Sequence, residues 1–497
     1  MKKQYFLFII LVSFTVSLNL FNIDSFAQGN YKNPGLEINR ANVWQFGDES
    51  TPFAGDAPSL HFESGHPIVM NGGKPYGFSS LCDSAGSLVL YGGYYRLYNK
   101  NHTIFQNGSG TIGFDPGVGI QHSLAVPKPG DPDLVYYFTV PFRLWYNLVD
   151  LSINTIIEKN VELIGATPGV GAKIAAVHHC NGHDIWVMVH ELYNRRFRAY
   201  LVTDSGITTP VITDIAPTDN GFGFAEQGGM MKFSPNGERL AITFSGIDIV
   251  PYVYDFDKST GILTNPIPLQ KDTGDFGISF SPDNSKLYIG TLNGKVLQYD
   301  LEAGDAVAIA ASKKVIYENP AISFAIMQIG RDGKIYVAQL SDPGRKYVGV
   351  INNPNALGTL CSFNWQGIYL NGANNYRGLT NTVESYFYTG SSAYPCYGEP
   401  ISGIAQSPSA TNARVYPNPF SDFTTIEVFV PNHSLNEKTE YILFDALGRE
   451  CKTDITVMKI GSTEIKFMLR KGQLNPGIYF LTIKTQGQNL SLKLSII

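Results

Sequence analysis

The chain is 497 residues long, carries 37 Lys and Arg against 42 Asp and Glu, and is only 16% charged but 12% aromatic. A charge content below the ~25% of an average globular chain, joined to that aromatic share, excludes a disordered protein and argues against a nucleic-acid partner. With 50 glycines, 28 prolines and no long stretch dominated by helix formers, the composition predicts many short strands and turns.

At the N-terminus, Lys2 and Lys3 precede an apolar run from Tyr5 to about Leu20, and Ser25-Phe26-Ala27 places small residues where a signal peptidase cuts, before Gln28. Residues 1–27 therefore read as a secretory signal peptide, since a membrane anchor needs about 20 apolar residues and no processing site. Every later apolar stretch is broken within a few residues by Gly, Asn, Asp or Lys, so no transmembrane segment is expected in the mature chain.

From about residue 40 to 395 a unit recurs: a turn rich in Asp, Asn and Gly, a strand of alternating aromatic and aliphatic residues, then a second strand ending in a polar turn. Copies start at Cys82, Pro129, His179, Phe233, Phe280 and Ile329, with turns near residues 84, 132, 182, 236, 284 and 332, a period of about 48 to 54 residues. Such a period with several strands per unit predicts a β-propeller over residues 28–397, because one four-stranded sheet cannot bury both faces and neighbours must stack. Asn236-Gly237 and Asp332-Gly333 are expected in two-residue hairpins, where positive φ is needed, and Phe233 and Phe280 between blades. A seventh blade is expected from NVWQFG (Asn42 to Gly47) and SLHF (Ser59 to Phe62) paired with SYFYTG (Ser385 to Gly390), closing the ring so that no sheet edge stays open.

Chemistry-bearing motifs are sparse. His178, His179, His183 and His190 are four of the nine histidines. On a strand, His179 and His183 would share a face as metal ligands, but Asn181-Gly182-His183-Asp184 also reads as a hairpin turn. In DFDKSTG, Asp255 and Asp257 offer oxygens to calcium, yet Gly261 sits one place late for an EF-hand and no Glu closes the loop. No nucleophile elbow, zinc-protease helix, phosphate loop or dinucleotide fingerprint occurs, and no cofactor is called for. Tyr94, Tyr95, Tyr98, Trp145 and Tyr146 are candidate recognition aromatics that also suit packing between blades. Of the five cysteines, Cys361 and Cys396 bracket one segment and are a possible disulfide, while the odd count leaves at least one thiol outside any intramolecular pair.

A polar linker over residues 398–412, ending ISGIAQSPSATN, introduces a different tail: RVYPNPF, TTIEVFV, YILFDALGRE, LNPGIYFLTIKT and LSLKLSII. Alternation within each run predicts a small antiparallel β-sandwich over residues 413–497. The order of YPNPF, a strand entering DALGRE, and PGIYFLTIKT at the chain end resembles the type A C-terminal sorting domain of the type IX secretion system of Bacteroidetes. The resemblance implies export across the outer membrane, recognition of the tail by the secretion machinery, and release or surface attachment of the cargo. Its motif residues here are Tyr416, Pro417, Asn418, Pro419, Asp445, Gly448, Gly477 and Tyr479. The body, through CDSAGSLVLYGG, KFSPNGERLA and SFSPDNSKLYIG, is similar to the WD-repeat-like propellers that Bacteroidetes place before such domains. No catalytic residue follows from that likeness. The expected function is a secreted or cell-surface propeller that binds protein or glycan; the alternative is a lactonase- or glycan-lyase-like propeller enzyme with a site at the channel mouth.

Overall fold

The computed structural model describes the body from residue 34 to 388, apart from 46–56, 63–67, 74–78, 93–95, 112–120, 193, 195, 216–227, 245–248, 342–343, 373–374 and 376–377. It describes the tail from residue 413 to 496, apart from 417, 419, 430–439, 446–448, 453, 461–463 and 486–487. The chain divides into two compact units, Asn30–Tyr397 and the C-terminal Gly398–Ile497. The residues expected to form the signal peptide, and Cys396, lie outside the described residues.

The body is a β-propeller. Among its described residues a three-stranded sheet is followed by modules in which successive strands pair antiparallel with their chain neighbours. The first strands of the later modules are Ser79–Cys82, Ser123–Pro127, Val170–His178, Met231–Phe233, Asp275–Phe280 and Phe324–Ile329. They are almost wholly buried, whereas fourth strands such as Ile262–Pro268 and Lys314–Glu318 are largely exposed. First strands of successive modules also lie against one another. They therefore form the inner wall of a ring and the fourth strands its rim, which explains why charged residues are confined to so small a share of the sequence.

The recurring turns each join a first strand to a second. The loops are longer than the expected two-residue hairpins: Ser234 N donates to Arg239 O at 2.9 Å and Gly237 N to Ser234 O at 2.8 Å, so four residues bridge the strands. Only one residue per turn is left-handed, Gly237 at φ 71° and Gly333 at 74°, with Asn284 serving in that place at 67°. A side chain caps each loop; Asp83 Oδ1 accepts from Ala85 N and Ser87 N, and Asn181 Oδ1 from His183 N and Asp184 N. These local bonds are why the sequence repeats Asp and Asn there. Phe233 packs within its own sheet on Phe256 at 4.8 Å, and Phe256 carries the contact across to Trp186 of the preceding module.

Inner walls pack closely enough to dictate residue type. A Cβ on Gly277 would lie 1.6 Å from the carbonyl oxygen of Ala325 on the next first strand, so only glycine fits. Further out, the second and third modules form one eight-stranded sheet, because Ile104–Ser109 and Thr155–Ile164 meet in parallel at Gln106 and Thr155.

Ring closure departs from expectation. Val43–Gln45 and Ala57–His61 do pair, but their third strand is Ile68–Gly73. Glu384–Phe387 is a buried 3-10 turn instead of a strand; a buried Glu and Ser have no place on an inter-blade face. The three-stranded sheet joins both ends of the ring. Asn42 accepts from Arg331 Nη1 at 2.8 Å and donates to Gly86 O at 3.0 Å, and Trp44 and Phe62 pack on Tyr336.

The tail is a sandwich of two four-stranded antiparallel sheets around Phe420, Ile426, Leu443, Phe467, Leu469, Tyr479, Leu481, Ile483, Leu494 and Ile496. Two of its strands, Asp454–Ile460 and Glu464–Arg470, form a sheet with Ala413–Tyr416 and Phe423–Phe429.

Candidate functional site

The axis of the body is occupied by its own chain. After the last module the segment 379–388 runs along the inner wall, with Val383 bridging Ala176 in parallel. Ser80 N donates to Thr380 Oγ1 at 2.8 Å, Ser79 Oγ to Asn381 O at 2.8 Å, and Asn381 Nδ2 to Ser123 O and Ile174 O at 3.1 and 2.9 Å. His178 N donates to Ser385 Oγ at 3.0 Å. First strands of the second, third and fourth modules are thus engaged by one short stretch, which makes it a thread down the channel. Its polar atoms supply partners that an apolar plug would leave unmet.

At the centre Lys232 contacts the Glu384 carboxylate, and its Nζ donates to Gln328 Oε1 at 2.5 Å. Both charged residues are buried, at 1% and 2% exposure. Burial pushes the lysine pKa down against the attraction of Glu384, and pushes the Glu384 carboxyl up against the attraction of Lys232 and Gln328. Desolvation thus works against both charges at once, favouring the neutral amine and acid. At the hairpin-turn end the 3-10 helix Pro34–Ala41 meets the thread, and Glu37 lies 3.6 Å from His178 Nε2 and 3.2 Å from Arg40 Nε.

The residues singled out in the sequence fall elsewhere. His179 and His183 flank the turn between Val170–His178 and Ile185–Glu191 and are spent within it: His179 Nδ1 accepts from Asn181 N at 3.0 Å, and His183 Nδ1 lies 3.0 Å from Asp184 Oδ1. Asp255 accepts from Asn265 Nδ2 at 2.9 Å. Asp257 takes hydrogen bonds from Ser259 and Thr260; burial raises its pKa, but those bonds outweigh burial and hold it below the usual range. Asp255 and Asp257 do share a cleft of about 410 Å3 with Cys180, Arg239 and Lys258. Burial lowers the Lys258 amine to about 8, and its Nζ donates to Asn236 O at 2.8 Å. Among the described residues no three His, Cys, Asp or Glu are placed to hold a metal ion.

The cysteines correct one expectation. Cys361 is a buried free thiol beside Tyr288, its pKa raised by burial. Cys180 is disulfide-bonded. Of the candidate aromatics, Tyr98 stacks on Tyr91 at 5.1 Å, and Tyr146 packs on Tyr136 and donates to Glu158 Oε2 at 2.6 Å. Tyr94 and Tyr95 lie outside the described residues.

In the tail, the segment that follows the strand Ala413–Tyr416 is tied to the last strand, Gln488–Ile496. Asn418 Oδ1 accepts from Ser495 N at 2.8 Å, Phe420 N donates to Ser495 O at 3.0 Å, and Phe420 bridges Ile496 in parallel. Asp445 accepts from Arg449 N at 2.9 Å and Nε at 2.7 Å, closing the turn between its strand and Glu450–Cys451. Tyr479, in the strand that Gly477 opens, is buried and donates its hydroxyl to Asn475 O at 2.9 Å. Tyr416 ends the strand Ala413–Tyr416; Pro417, Pro419 and Gly448 lie outside the described residues.

Fold and tail together define a class: an all-β cargo domain followed by a β-sandwich whose motif residues secure its terminal strand. Residues 414–497 match the family described as the secretion system C-terminal sorting domain. The protein is therefore exported by the type IX system, which places it in Bacteroidetes, and its destination is extracellular, often the cell surface. No curated protein matches the chain. Among solved structures it is similar to a candidate 6-phosphogluconolactonase from Bacteroides uniformis, 14% identical over 62% of this chain and 91% of the other, with a TM-score of 0.42. It is also similar to the periplasmic gluconolactonase of Pseudomonas aeruginosa, 12% identical over 55% and 82% of the two chains, with a TM-score of 0.37. Likenesses this distant bear no weight on the chemistry.

Proposed function

We propose that the exported body is a binding or scaffold module for a protein or glycan at the cell surface, and that it uses its outer faces for this. The filled channel carries the reading. A propeller enzyme assembles its site from blades around an open mouth, whereas here Lys232, Gln328, Gln121 and His178 are engaged by the thread. The chain-derived thread takes the room and the hydrogen bonds that a substrate would need at that depth. In this reading residues 1–27 are a signal peptide, 28–397 a seven-bladed propeller, 398–412 a linker and 413–497 the sorting domain, with the type IX machinery as the tail's partner.

The test is a pull-down from surface extracts and a glycan screen with the mature protein, run beside lactone and polysaccharide turnover assays. Selective retention of one protein or glycan class without turnover is the expected result. Turnover that disappears on changing a channel-mouth carboxylate or histidine would replace this reading with the enzymatic one.

A further inference from the structure

The channel brings together a nucleophile, an electrophile, an acid and an oxyanion donor that the binding reading does not use. Lys232 Nζ lies 3.4 Å from Asn381 Oδ1 and contacts the Glu384 carboxyl. The Asn381 carboxamide is fixed in one orientation: its Nδ2 donates to Ser123 O and Ile174 O, and its Oδ1 accepts from Gln121 Nε2 at 3.2 Å. Gln121, Lys232, Asn381 and Glu384 are 1%, 1%, 4% and 2% exposed, so water is excluded from all four.

We propose that Lys232 and Asn381 are joined by an isopeptide bond that fastens the thread to the ring. Nζ attacks Cγ of Asn381, the carbon one bond from the oxygen that it approaches to 3.4 Å. Gln121 Nε2 stabilises the charge that develops on Oδ1. Glu384, starting as the protonated carboxyl, gives its proton to Nδ2, which leaves as ammonia when the Cγ–Nδ2 bond breaks, and is reprotonated by the proton that Nζ sheds as the new C–N bond forms. Amide replaces amide, nothing is oxidised or reduced, and no co-reactant is needed. The burial that disfavours both charges works toward the two forms the step requires, a free amine and a protonated carboxyl. The bond would span 149 residues of sequence, linking the fifth module to the strap that precedes the sorting tail, and it holds whatever ligand the body takes.

Intact mass spectrometry of the reduced, denatured full chain decides the matter. The expected mass is one ammonia below that of the sequence from its measured N-terminus, with a branched proteolytic peptide joining Lys232 to Asn381. Glu384→Gln and Lys232→Arg are expected to restore the mass of their own sequences and to run more slowly in denaturing gels. An unchanged wild-type mass, a loss of water mapped to Glu384, a branch at Gln328, or ammonia loss without any branched peptide would each overturn the proposal. The wild-type measurement stands even where a variant fails to fold.

Discussion

The body and the tail carry their function in opposite ways. In the tail the motif residues, spread from Tyr416 to Tyr479, lie at strand ends and turns and secure a small sandwich whose last strand is tied back to its first segment. In the body the most constrained residues come from positions 121, 232, 328, 381 and 384, are buried, and meet only when the ring has closed. The tail buries a core of its own, whereas the closed ring depends on contacts between chain segments far apart.

Deleting residues 413–497 is the harshest way to break that contrast. Export is expected to fall nearly to zero while a protease-resistant body accumulates in the periplasm, as fractionation would read; undiminished export would mean that the body also carries an address. Inside the body the largest single change is expected at the inner wall. Gly277→Ala should cost about 3 kcal/mol in denaturant unfolding, since an added methyl must displace the backbone of Ala325.

A smaller effect comes from pH. His190 is fully buried between Phe197 and Phe244, with neither ring nitrogen hydrogen-bonded among the described residues, and burial followed by the nearby Lys173 charge lowers its pKa to about 3. The unfolded chain takes up this proton near pH 6.5 and the folded chain does not. Stability from this group is therefore complete above pH 6.5 and is lost as pH falls toward 3, by about 2 kcal/mol at pH 5. Melts of His190→Phe should show that part of the acid dependence flattened.

Asp275 works in the other direction. Burial raises its pKa to about 6, so above that pH the folded state carries an unfavourable charge that protonation relieves as pH falls from 6 toward 4. Asp275→Asn should stabilise the protein by about 1 kcal/mol at pH 7 and by nothing at pH 4. Smallest of all, a chelator should leave the melting temperature unchanged, because the Asp257 oxygens are taken by Ser259 and Thr260; a drop of several degrees would restore the calcium idea.

The repeating turns were legible because each satisfies its own hydrogen bonds within a few residues, so the same Asp, Asn and Gly recur at a fixed spacing. The thread was not legible, since Asn381 and Glu384 find their partners by position around a ring, with no spacing to betray them. SYFYTG looked like a strand by its aromatics, yet Glu384 and Ser385 are the residues that seat it on the axis. The disulfide expectation failed for a similar reason: Cys361 sits as a free thiol beside Tyr288, while Cys180, which is disulfide-bonded, lies in a turn three modules earlier. In the tail, the strands Asp454–Ile460 and Glu464–Arg470 are less legible because Met458 with Lys459, and Met468, depart from their alternation.

The late position of the thread also sets a timetable. Ser79 and Ser80 wait for residues 380 and 381, across 302 and 300 residues, and Asn42 waits for Arg331. Contacts that remote form slowly, and none exists until almost the whole body has been delivered. A chain delivered in order from its N-terminus lacks every one of these closing contacts until its last part arrives. It becomes a closed ring only when the segment just ahead of its sorting tail arrives.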